Sequence, residues 1–184
     1  MADEQLGLFD AIYSQRAIRS LKPDPVPDDV LHKIIEAGTK APSGGNSQPW
    51  AFIIVQDHDS IAKIAEWAKA GFAVMYERAL GRMRPGDELP FPRLKPLVES
   101  MEQVPVLLFP CHVRPEGAAP SPGGMSIYPA VQNMLLAARS HGVGGVLVTM
   151  FKLREDGFRE LLDLSPWFSD YFKEPGACTS GTCA

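Results

Sequence analysis

Three cysteines in 184 residues are too few for a disulfide framework. No apolar run approaches the length of a membrane span, and the glycine fingerprint of a dinucleotide site is absent. No serine–histidine–aspartate set and no metal-ligand spacing stands out among the four histidines. A net charge of −4 at pH 7 gives no general attraction to nucleic acid or to anionic lipid. The opening residues MADEQLGLFD are acidic, unlike a signal or transit peptide. The expectation is one soluble, cytoplasmic domain with no nucleic-acid or membrane partner and no metal.

What is present is an ordinary core composition, 45% hydrophobic, punctuated by 17 prolines and 16 glycines. Apolar spacing predicts helices over 5–15, from Asp28 as N-cap to the break before Pro42, over 59–79, over 126–142 and through LREDGFRELLDL. WAFIIVQ (50–56) reads as a buried central strand, VPVLLFPCHV (104–113) as a second and GGVLVTM (144–150) as a third. Cys111, inside the second run, reads as a core thiol. Residues 81–97 hold four prolines and several charges and read as an irregular lid or insert. Elements mix without regular alternation, which points to an α+β sandwich with helices on both faces of a small sheet.

Two short stretches carry candidate chemistry. Arg16 and Arg19, in SQRAIRS, lie three apart and would share a side at a helix exit. Two guanidiniums there match the oxygens of a phosphate monoester, or else form a solvated basic face. APSGGNSQPW (41–50) places two glycines, serine, asparagine and glutamine at the mouth of a strand. Glycine lets backbone approach a flat ligand, and the amides of Asn46 and Gln48 match the donor–acceptor edge of a pyrimidine-like ring. A turn that merely joins helix to strand also uses such residues.

QRAIRSLKPDPVP, AGTKAPSGGNSQPWAFIIV and YPAVQNMLLAARSHGVGGVLVT, in that order, resemble the three signature segments of the nitroreductase family. The likeness runs from about residue 9 to 164. It implies a nitroreductase-like α/β/α sandwich with a small mixed, mainly antiparallel sheet. It also implies a homodimer with FMN at the interface and NAD(P)H as co-substrate. The expected activity is a ping-pong reduction of nitroaromatics, quinones or similar acceptors. By the same resemblance Arg16, Ala17 and Arg19 hold the FMN phosphate and the polar edge of its ring. Pro42, Ser43, Gly44 and Asn46 contact the ring from the neighbouring subunit, and the backbone of Val148, Thr149 and Met150 lies near flavin N5. No protein acid or base is assigned, because the flavin carries the redox step. Relatives of this shape also cleave the flavin or remove halogen from aromatic substrates, and a flavin-binding protein without turnover is a third reading.

Two departures from the family pattern follow. Gln15 and Ala17 stand where many members carry arginine and serine, so one cation and one hydroxyl are missing. After the helix ending near residue 164 the chain runs SPWFSDYFKEPGACTSGTCA, in which neither strand nor C-terminal arm is legible. The expectation is a single FMN-binding domain over 1–164 and an atypical, partly disordered tail over 165–184, with weakened FMN retention and stability. Trp67, Phe72, Met75, Tyr76 and Tyr128 read as packing or as a substrate wall. Arg82, Arg84, Arg93 and Lys95 read as a solvated loop or as a site for a nicotinamide cofactor's phosphate.

Overall fold

A computed structural model describes residues 6–113, 124–148, 155–163 and 180–183. The helices are α1 (Leu8–Ser14), α2 (Asp28–Thr39), α3 (His58–Leu80), α4 (Leu94–Glu99), α5 (Gly124–Ser140) and α6 (Glu155–Leu161). The strands are β1 (Trp50–Val55), β2 (Leu107–His112), β3 (Gly145–Val148) and β4 (Ser180–Cys183), in the order β1-β2-β4-β3. Every strand pair is antiparallel; one isolated parallel bridge, Ala17 with Gly145, makes the sheet mixed.

Alternation along the strands divides the core. Leu107, Phe109 and Cys111 of β2 join Ile61, Ile64, Ala65 and Ala68 of α3, Leu97 of α4 and Phe158 of α6. Leu108, on the opposite face, joins Ile34 of α2 with Met134 and Ala138 of α5. A strand sends successive side chains to opposite faces, so the fully buried β2 is covered by helices on both sides. This is the expected α/β/α sandwich. The approach of α2 to α5 is set by Gly38, where an added Cβ would stand 2.8 Å from Met134 Cγ.

Four expectations need correction. WAFIIV is an edge strand, not a central one: β1 pairs only with β2 among the described residues, and Ile54 is exposed. Its apolar side chains are covered from above and below, Ile53 on the α3 side and Phe52 on the α2/α5 side, while its other backbone edge pairs with no strand among the described residues. Part of the 81–97 insert is regular, because Leu97 and Val98 bury one side of α4 under α3. Asp28 is the first residue of α2, and Pro27 occupies the cap position. A strand exists after α6: Ser180–Cys183 pairs with β2 at Leu107 and Leu108 and with all four residues of β3. Small polar residues give no apolar signal, and here hydrogen bonds on both sides define the strand. No helix of the described residues is long and apolar enough to cross a membrane.

Candidate functional site

The turn at 42–48 is held in a conformation few residues choose. Gly45, Asn46 and Gln48 have φ of 58°, 54° and 48°, the left-handed region, which glycine and asparagine tolerate best. Three such residues within four positions are strained backbone of the kind found at ligand clamps. The hydroxyl of Ser43 holds the turn by accepting from the amide of Gln48 at 2.9 Å. Gln48 Nε2 donates to Asn46 Oδ1 at 3.2 Å, which links the two side-chain amides. The Asn46 N–H groups and the Gln48 carbonyl oxygen are left as a donor and an acceptor on two exposed residues. The amide of Gly44 donates to Ser126 Oγ at 3.3 Å, tying the turn to the first half of α5. A Cβ on Gly44 would meet nothing within 4 Å, so this chain leaves open space there.

The arginine segment lies elsewhere. α1 ends at Ser14, and residues 16–19 leave it extended, with Ala17 bridged to Gly145 and the amide of Ile18 donating to the Gly145 carbonyl at 3.1 Å. Because the segment is extended, Arg16 and Arg19 do not share a side as a helical spacing would have them. Arg16 lines a pocket of about 550 Å³ with Ser14, Ser20, Lys22, Arg139 and Gly144, whereas Ala17 and Arg19 do not line it. Arg16 donates to the carbonyl of Gln15 at 2.6 Å, and Arg19 reaches that of Ala17 at 3.4 Å. Neither guanidinium pairs with a carboxylate among the described residues.

Within one chain the structure therefore brings Arg16, Ala17, Arg19 and Val148 to the β3 side, and Pro42, Ser43, Gly44 and Asn46 to the other end of α5. Ser126, which holds the turn, and Arg139, which lines the arginine pocket, are thirteen residues apart on α5. That is about 20 Å along the helix axis. Thr149 and Met150 lie outside the described residues. Ser126 and Arg139 are the side chains that sequence reading left out of the candidate set, and Ser126 was legible only as a helix start; Gln48 was read there with Asn46.

Other candidates resolve as packing. Trp67 stacks on Phe158 at 5.0 Å, Phe72 is buried with Tyr76 5.5 Å away, and Cys111 is a buried thiol. Tyr128 is exposed. No group of three metal-ligating side chains occurs among the described residues.

The donor set suits FMN: guanidiniums without a carboxylate partner among the described residues for a phosphate, side-chain amides for the ring's polar edge, and an open glycine backbone for a flat ring. Known proteins resemble the chain over most of its length. The model of the nitroreductase family matches residues 12–172. Iodotyrosine deiodinase of Thermotoga neapolitana is 32% identical over 149 residues, 80% of this chain and 76% of that protein. Iodotyrosine deiodinase 1 of Rattus norvegicus is 31% identical over 100 residues, 54% of this chain; the match spans only 35% of the rat protein. Among solved structures, a nitroreductase with bound FMN from Bacteroides fragilis superposes with a TM-score of 0.64 at 21% identity, over 97% of this chain and 88% of that one.

Proposed function

The chain belongs to the nitroreductase family, and from that premise we propose that it is an FMN-dependent oxidoreductase acting as a homodimer. It takes hydride from NAD(P)H and reduces nitroaromatics, quinones or similar acceptors. When bound, FMN supplies the electron chemistry.

The residues of this chain bind, orient and polarise. The carbonyl oxygen of Gln48 suits the ring's N3–H, and the amide N–H of Asn46 suits a carbonyl beside it. Gly44 lets the backbone lie against the ring plane. Arg19, half-buried beside β3, puts positive charge near the polar edge of the ring, where negative charge grows on reduction. Arg16 holds the phosphate. No side-chain acid is assigned, because the flavin carries the redox step.

The observation that carries the homodimer is the separation along α5. One chain cannot close its own turn onto its own arginine segment across about 20 Å of helix. A two-fold partner with α5 reversed brings the turn of one subunit to the arginine segment of the other. Exposed apolar side chains support this: Leu8, Phe9, Ile12 and Tyr13 on α1, with Met125 and Tyr128 on α5. An apolar patch of that kind marks an association surface.

Anaerobic mixing of the protein with FMN and NADPH tests the reading. Bleaching of the flavin, followed by reoxidation with a nitroaromatic or quinone, is expected; unchanged colour overturns turnover and leaves a flavin-binding protein. A second reading, reductive dehalogenation of a phenol, is supported by the 32% similarity to a protein named iodotyrosine deiodinase. Reoxidation by halogenated phenols alone would decide for it.

A further inference from the structure

Arg139 stands one residue before the end of α5, and its Nε donates to Ser14 Oγ at 2.9 Å. Ser14 Oγ in turn donates to the carbonyl of Asp10 at 2.5 Å, which closes the last turn of α1. One N–H of the guanidinium is thus used to fix its plane. Its two terminal nitrogens have no carboxylate partner among the described residues. Arg139 lines the same pocket as Arg16, Lys22, Ser14 and Ser20. Among the described residues Asp24 is the only carboxylate in that lining, so three cations meet one anion there, in a chain of net charge −4. The carbonyl end of α5 does not cancel this charge. Carbonyls of Ala137, Ala138 and Arg139 accept from the amides of His141, Val143 and Gly142 within the last turn.

We propose that this pocket is the oxyanion subsite for a phosphate monoester, and that Arg139 supplies from α5 the second guanidinium that the N-terminal segment lacks at Gln15. Ser20 supplies a hydroxyl in place of the one missing at Ala17, while Ser14 is committed to holding Arg139. Arg16 enters from the extended segment and Arg139 from the helix, so two forks can grip one phosphoryl group from different sides. This rests on the flavin reading above, the phosphate being that of FMN. The pocket also explains why Arg16 and Arg19 diverge: Arg16 serves the phosphate and Arg19 the ring.

The test compares FMN with riboflavin, which differ only in the phosphate, by titrating each into the full apo-protein and following flavin fluorescence. In R139Q, FMN binding should weaken about tenfold, since charge-assisted hydrogen bonds to the phosphate are lost, while riboflavin binding should move less than about twofold. R139K, which keeps the charge without the fork, should recover part of the loss. On the unaltered protein, millimolar inorganic phosphate should compete with FMN and not with riboflavin, a readout that needs no variant to fold. Equal losses for both flavins in R139Q, or no loss, would overturn the assignment. So would an R139Q effect confined to the KM for NADPH, which would give the pocket to the dinucleotide's phosphate. An unaltered protein that binds neither flavin sinks the functional reading and this inference together; one that binds both equally well sinks this inference alone.

Discussion

Gly44 and Ser126 are 82 positions apart in sequence, yet the amide of one donates to the hydroxyl of the other at 3.3 Å. Ser126 is buried on the first turns of α5, 8% exposed, so the contact holds a strained surface turn to a 17-residue helix on that face of the sheet. S126A leaves the Gly44 N–H without that acceptor at a cost of about 1 kcal/mol. Because the turn is the part displaced, FMN affinity should fall up to about fivefold, read by fluorescence titration, with the thermal midpoint lower by about 2–4 °C.

Adjacent glycines should respond differently to the same methyl group. At Gly45 the left-handed backbone makes alanine costly, and G45A should destabilise the fold by about 1 kcal/mol. At Gly44 a Cβ enters open space, so G44A should leave urea unfolding unchanged and weaken flavin binding, the methyl standing where the ring approaches. Equal effects on both measurements would place the ring elsewhere.

Phe158 is the largest fully buried side chain, wedged 5.0 Å from Trp67 and 5.4 Å from Phe109. It holds α6 to the α3 face of the sheet. F158A should cost about 3–5 kcal/mol in urea unfolding, the transfer loss plus the cavity left behind. Against a typical domain stability of about 5–15 kcal/mol, that is a large share.

Asp57 caps α3, accepting from the amide of Ser60 at 2.8 Å. Hydrogen bonds from the Ser60 hydroxyl and then its amide hold the carboxyl below its ordinary value of 3.8. A group depressed by folding adds stability that is fully present above the unfolded value and disappears as pH falls through the lower folded one. Thermal stability should therefore decline below about pH 4. D57N, whose amide oxygen can still cap but does not titrate, should show a shallower acid decline.

The long helices were legible because their apolar faces are continuous: Leu31 and Ile34 on α2, and Ile61, Ile64, Ala65 and Ala68 on α3, are buried as spaced. α4 was not, since Pro96 lies within it and its signal is two residues, Leu97 and Val98. The turn was legible from glycine and asparagine, whose conformational tolerance is written in their identity. The arginines misled by spacing alone: residues 16 and 19 align only on a helix, and this stretch is extended against Gly145. Arg139 carried no sequence signal, because a basic residue in the last turn of a helix is ordinary.

Ser180–Cys183 fills the gap between β2 and β3, joining Leu107 to Thr182 across 75 positions. During synthesis those two strands wait, apart or wrongly bridged, until residues 180–183 can enter between them. Such late, long-range closure slows folding and leaves unpaired strand edges available to neighbouring chains. Low temperature during production, which slows association of exposed edges between chains, should therefore raise the yield of native protein.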